Sequence, residues 1–397
     1  MKSVPAKVWL VLAICVIVWP SVPTSAAETK TEKSSEGKLA ETGGTLIRQV
    51  HMDNTFREGE AFIVPPGKTL EMCTLLAEGL GKTDVSDPAL SAAKGMERAF
   101  SSTRLMQFRW RVPFGTVKRF GENLIEWEAP AAPGHYPIHC EVETSGTLRY
   151  AMGAGDPKSR KLPSLRTSTT FHFLVPHEFD PEGHGVIESY PIGTYPNENT
   201  KDVKAVIAQH REHYRPPRWF VAVTSATREL RVSEHFRLRE FIPHAPKDTT
   251  VYFPYNANLC RALEAIVADL KTSETTTPHL RILRGFVSPY DAERLRRAGA
   301  RLLTWNRYQY GDGVLVVANE DAGEKMGDLN RDGKVDVRDA EVLANVVSRV
   351  QKRLGLPGWT GIYGERPDTT LPETPMVGFD VRGWWAESYG PESSARE

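Results

Sequence analysis

No histidine follows His279 and no cysteine follows Cys260, so the C-terminal stretch of this chain is without the two side chains that most often hold a catalytic zinc. Cysteine is scarce throughout, four in 397 residues, which excludes a small disulfide-scaffolded fold. Neither sign of charge is in excess: 50 lysines and arginines face 50 acids, leaving no basic field to attract nucleic acid. No apolar run reaches the roughly 20 residues that a spanning helix needs. Internal repeats and long low-complexity tracts are absent as well.

What is present suits a folded chain of two or three domains, with 40% hydrophobic and 25% charged residues. Lys2 and Lys7, the apolar run Val8 to Trp19, Pro20 and the small residues Ser25-Ala26-Ala27 read as an export signal over residues 1–27. Export places the mature chain in the periplasm or outside the cell, without a membrane anchor once the signal is removed. Residues 28–44, "ETKTEKSSEGKLAETGG", offer almost nothing to bury and are expected to be a disordered tether.

Over residues 45–176 the pattern has period two. Met106, Phe108, Trp110 and Val112 alternate with polar residues, as do Tyr136, Ile138, Cys140 and Val142, and Phe171, Phe173 and Val175 close the set. With turns such as "PPGK" and "APAAPGHY", these short strands predict an antiparallel β-sandwich. The phrase "WEAPAAPGHYPIHCEV" resembles immunoglobulin-like bacterial modules, which bind or space more often than they catalyse. Cys73 and Cys140 both fall in predicted strands of this exported sandwich, so a disulfide between them is expected, while Cys260 reads as a small core or boundary residue. Residues 177–230 connect the halves and carry one predicted helix around "TKDVKAVIAQHREHY".

Residues 231–390 mix helices and strands, before a short tail at 391–397. In "NANLCRALEAIVADL" the side chains Leu259, Leu263, Ile266, Val267 and Leu270 share one helical face. The run "DLNRDGKVDVRD" fits the twelve-residue calcium loop. Asp328, Asn330 and Asp332 supply oxygens at alternate positions, Gly333 permits the sharp turn, Lys334 offers its carbonyl, and Asp336 and Asp339 complete the shell. Leu343, Val346, Val347, Val350 and Leu354 then form the stripe of an exiting helix. Asp at the last position resembles the dockerin variant, but a single loop reads as a structural clamp.

"PPRWFVAVTSATRELRVSEHFRLREF", "RGFVSPY", "NRYQYGDGVLVV", "GDLNRDGKVDVRDA" and "MVGFDVRGWW" follow one another in the C-terminal half. In that order they resemble the zinc D-Ala-D-Ala carboxypeptidases and dipeptidases that trim peptidoglycan stem peptides. The resemblance covers about the last 180 residues and implies an α+β domain, placed after an immunoglobulin-like sandwich. It also implies where the chemistry belongs. Tyr308 stands in the place of the family's first zinc-ligand histidine and Leu315 in that of its aspartate. Gly378 occupies the slot of the second histidine, and Val287 that of the substrate-steadying arginine.

Gly311, Asp312 and Gly313 keep the turn, and Asp380 keeps its strand. The resemblance therefore implies a zinc scaffold emptied of zinc, filled with apolar surface, and serving as a peptidoglycan-binding or scaffolding pseudoenzyme. Calcium is the expected structural cofactor, and zinc is not expected. The competing reading is an active carboxypeptidase with an unconventional set drawn from His235, Glu234 or Glu240.

Overall fold

The computed structural model describes residues 45–386, apart from 53–54, 59, 78–99, 122–123, 151–157, 184, 197–208, 274–278, 301, 303–305, 322, 365–366 and 368–369. The expected export signal, the tether and the tail lie outside the described residues, as does most of the helix expected before Tyr214. Arg211–Tyr214, its last turn, is a 3-10 helix.

Among the described residues nine strands form the first half: β1 (Thr45–Met52), β2 (Thr55–Glu58), β3 (Ala61–Ile63), β4 (Thr69–Ala77), β5 (Phe100–Arg111), β6 (Thr116–Phe120), β7 (Leu124–Glu128), β8 (Gly134–Tyr150) and β9 (Lys158–Val175). They make two sheets, ordered β2-β1-β4-β7-β6 and β3-β9-β8-β5. All pairings are antiparallel except β3 with β9. The period-two pattern turns one face of each sheet inward. Val50, Met72, Ile125 and Trp127 of one sheet share a buried cluster with Ile138, Cys140, Val142, Phe171 and Phe173 of the other. Trp127 lies 4.6 Å from the Phe173 ring and donates its indole N–H to the Phe114 carbonyl at 2.8 Å. Gly115 is required beside it, because its φ is +74° and a Cβ there would stand 2.4 Å from Trp127 Nε1.

Cys73 on β4 and Cys140 on β8 belong to opposite sheets, and both stand as thiols. Burial pushes the Cys140 thiol up to about 11, the Thr74 hydroxyl opposes that rise, and nearby Cys73 adds to it. Under oxidising conditions the two sulfurs are expected to join, stabilising the sandwich by about 4 kcal/mol on a chain-entropy account. Intact mass with and without reductant checks this. Two alkylatable thiols in the oxidised protein would contradict it.

The second half begins with short strands, β10 (His177–Glu178), β11 (Val186–Ile187), β12 (Tyr190–Pro191), β13 (Trp219–Val223) and β14 (Val251–Phe253). Helix α1 (Ala257–Ser273), β15 (His279–Arg284), α2 (Pro289–Arg297), β16 (Gly313–Asn319), α3 (Val337–Leu354), β17 (Thr360–Tyr363) and β18 (Met376–Asp380) follow. The last four strands form one antiparallel sheet ordered β15-β16-β18-β17. Leu259, Leu263, Ile266, Val267 and Leu270 bury one face of α1, and Leu343, Val346, Val347 and Val350 bury one face of α3. Ser288 caps α2 by accepting the Asp291 N–H, and Gly355 ends α3 in the left-handed region.

The connecting residues are built into this second core through Phe179, Ile187, Ile192, Tyr195, Tyr214 and Phe220, and the sandwich contributes Ala61 and Leu174. The architecture is α+β, rich in sheet and with few helices. Among the described residues no helix is long and apolar enough to cross a membrane.

Candidate functional site

The turn that precedes β16 is a 3-10 helix, Arg307–Tyr310, ended by Gly311 at φ +69°. A Cβ at Gly311 would meet the Pro254 carbonyl oxygen at 2.1 Å, so this close approach admits only glycine. Arg307 closes the turn on itself. Its Nε donates to Asp312 Oδ1 at 3.0 Å, a second guanidinium nitrogen binds Asp312 Oδ2, and Nη1 donates to the His213 carbonyl at 2.8 Å. The guanidinium also lies over the rings of Tyr310 and Tyr214, 4.3 and 5.1 Å from their centres.

Asp380, at the end of β18, pairs with Arg382, and its Oδ1 also accepts the Trp359 N–H at 3.2 Å. The Val381 N–H donates to the Asp312 carbonyl at 2.9 Å, joining the two acids' segments. Both aspartates therefore organise the frame.

Strand pairing brings the mapped positions together. Leu315 lies opposite Gly378 on one side and Arg284 on the other, and Gly378 lies opposite Gly361. This single row puts Arg284, Leu315 and Gly378 on one face of the sheet. Tyr308 reaches the row through Tyr363, because the two phenols hydrogen-bond each other and Tyr363 borders Gly378. The Val287 N–H donates to the Tyr308 carbonyl at 3.3 Å, and Val287 forms a small cluster with Ala292 and Leu302 against which Tyr308 packs.

What fills the space is not wholly apolar. Leu315 and Val287 are buried, but so is Arg284, which is fully excluded from solvent and donates from Nη2 to Thr370 Oγ1 at 2.9 Å. Burial drives the Tyr308 hydroxyl far above its usual ionisation range, and Tyr363 adds to the rise while Arg284 opposes it. A protonated phenol is a poor metal ligand, Leu315 has no donor, and Gly378 has no side chain.

The loop Asp328 to Asp339 is held by its own hydrogen bonds. Asp328 accepts the N–H groups of Asp332 and Gly333 at 3.1 and 2.8 Å, Asn330 Oδ1 accepts that of Asp332 at 2.9 Å, and Asp332 Oδ1 accepts that of Lys334 at 3.0 Å. Gly333 at φ +81° and Arg331 at φ +60° supply the sharp turns. Asp336 caps α3, and buried Asp339 ties the loop ends by accepting N–H groups of Leu329, Asn330 and Asp336 at 2.8, 3.1 and 2.8 Å. Arg338 adds positive charge at the loop, binding Asp332 Oδ2 at 2.8 Å and Asp336 Oδ2 at 2.7 Å.

The residues of the competing enzyme reading separate. Glu240 takes the Arg237 N–H at 2.6 Å in a capping box, whereas His235 and Glu234 meet Glu264 of α1 at the surface. No family model, no curated protein and no solved structure matches this chain.

Three residues that matter here have no role in the motif reading: Glu264 and Arg284 lie inside quoted stretches without being singled out, and Tyr363 lies outside them. Glu264 and Tyr363 carry no local signal, since only tertiary packing gives them neighbours. Arg284 does carry one, being an arginine at the end of the strand "HLRILR" where the alternation points it inward.

Proposed function

We propose that this is an exported, cell-wall-associated protein that binds or scaffolds on peptidoglycan. On this reading its C-terminal half is a carboxypeptidase-like domain without hydrolytic chemistry, and its N-terminal half is an immunoglobulin-like spacer. One observation carries the reading: the row Arg284, Leu315, Gly378, with Tyr308 against it, keeps the geometry of a turn-and-strand site while offering no metal donor set. Water becomes a nucleophile near neutral pH chiefly when a metal lowers its pKa to about 7. Tyr308, Leu315 and Gly378 give such an ion nothing to bind, and Val287 gives a substrate carboxylate no cation.

The test has two arms. Purified mature protein is expected to sediment with murein sacculi and to release no D-alanine from a pentapeptide stem with zinc supplied. Failure to sediment would remove the scaffold reading, and D-alanine release abolished by Tyr308→Phe would restore the enzyme.

Calcium suits the loop's donor chemistry, since Asp328, Asn330, Asp332, Asp336 and the Lys334 carbonyl are all oxygen donors in a preformed turn. The bound ion would supply positive charge among these carboxylates, where Arg338 now supplies it. At free calcium of about 100 times the dissociation constant the expected gain is about 2.7 kcal/mol. Substituting Asp328 and Asp332 by alanine should remove it. Melting of the C-terminal half that is indifferent to chelator would end the clamp reading.

A further inference from the structure

Away from the emptied position, Glu234, His235 and Glu264 present one ligand atom each, all within 4.8 Å of one another. Two elements fix them. Glu234 and His235 form the tip of a tight bend closed by the Arg231–Arg237 bridge and by the Val232 N–H donating to the Phe236 carbonyl at 3.0 Å. Buried Phe236 anchors that bend in the second core. Glu264 projects from α1, whose opposite face is buried, so its backbone is rigid.

The Glu264 carboxylate grips His235 at two points, through the backbone N–H at 2.8 Å and through ring Nδ1 at 2.6 Å. Lys271, two turns further along α1, meets ring Nε2 at 2.7 Å, and Glu234 stands 3.8 Å from the same nitrogen. Two carboxylates thus flank one imidazole, and the Lys271 ammonium sits against its Nε2.

We propose that Glu234, His235 and Glu264 bind a divalent transition-metal ion such as zinc at the protein surface, independently of the peptidoglycan reading. The separation suits one ion, because ligands about 2.0–2.2 Å from a common centre lie at most about 4.4 Å apart, within a small side-chain adjustment of the trio. Imidazole with carboxylates selects a transition ion over calcium or magnesium. Binding at Nδ1 displaces the hydrogen it shares with Glu264 Oε2, opens that 2.6 Å pair, and draws in Glu234, now 3.8 Å from Nε2. The ring proton then resides on Nε2, which no longer offers Lys271 a lone pair, so the ammonium turns to solvent. Lys271 is accordingly a competitor for the site. Zinc recovered with this protein belongs here, and its recovery says nothing about hydrolysis at Tyr308.

Calorimetric zinc titration of the metal-stripped full chain tests the assignment. One equivalent is expected. His235→Ala should weaken binding at least tenfold, Glu234→Gln should weaken it severalfold, and Lys271→Gln should tighten it severalfold. Glu234 is largely exposed, so its variant tests the site without threatening the fold. His279→Ala, at the exposed start of β15, should change nothing. Absence of zinc binding, or binding unmoved by both His235→Ala and Glu234→Gln, would overturn the proposal. The sacculus and D-alanine assays are read separately, so either reading can fail alone.

Discussion

Gly378→His is expected to destabilise the second half by about 3 kcal/mol or more, combining overpacking with a buried imidazole that has no assigned partner. A Cβ at Gly378 would stand 2.9 Å from Tyr363 Cε2, 3.0 Å from Trp359 Cζ3 and 3.1 Å from Leu315 Cδ2. A ring built on that Cβ has nowhere to go without moving aromatic side chains, and β18 is paired on both sides, so its backbone has little freedom to retreat. Thermal melting measures the cost. Trp359→Ala should open room, so the double variant Gly378→His/Trp359→Ala should be more stable than the sum of the single effects implies. Equal melting of Gly378→His and the natural protein would mean that the rings do not stand where the structure puts them.

The same contacts bear on building a zinc site at this position. In Leu315→Asp the new carboxylate would face Arg284 across the strand pair and bind the guanidinium in preference to a metal. Tyr308→His, Leu315→Asp and Gly378→His combined should therefore take up no zinc at this position unless Arg284 and one of Trp359 or Tyr363 are also replaced. The position is organised around a fixed cation, Arg284, and its neighbours Leu315 and Gly378 offer no donor.

Much of this was legible in advance wherever periodicity alone decides the outcome. Ile138, Cys140 and Val142 face the sandwich core because alternate residues of a strand share a face. Leu259, Leu263, Ile266 and Val267 face the second core because a helix returns every three to four residues. Of the residues the motif order singles out, strand pairing sets Leu315 opposite Gly378, and a backbone hydrogen bond joins Val287 to Tyr308.

The contents of the space between them were not legible. Trp359 and Tyr363 arrive on β17, whose pairing with β18 is a tertiary fact. Alternation along β15 marks Arg284 as inward-facing, but its place opposite Leu315 is set by the pairing of β15 with β16. The two-residue strands β10, β11 and β12 also escape periodicity, which needs several residues to declare itself.

Arg307→Met should cost about 3–5 kcal/mol, the range for removing one partner of a buried ion pair, and the cost should depend on pH. Arg307 and Asp312 are both nearly excluded from solvent, and the pair sits beneath Tyr310 and Tyr214. Methionine keeps much of the volume but strands a carboxylate and leaves the His213 carbonyl without this donor. In the natural protein burial already pushes Asp312 above its ordinary range, and Arg307 is the main force pulling it back. Removing the guanidinium raises it further.

A carboxyl whose folded pKa lies above its unfolded value of about 3.9 imposes no ionisation penalty below that unfolded value. The penalty grows as pH climbs between the two values and is complete above the folded one. Melting of Arg307→Met should thus be closest to the natural protein near pH 4–5 and furthest from it near pH 8. Asp312→Asn added to Arg307→Met should remove most of that pH dependence and recover part of the stability, because a neutral amide is easier to bury than an unpaired charge. A gap in melting temperature that stays constant across this range would show that Arg307 acts through packing on Tyr214 and Tyr310, and that the buried charge on Asp312 does not govern the turn on which Tyr308 is carried.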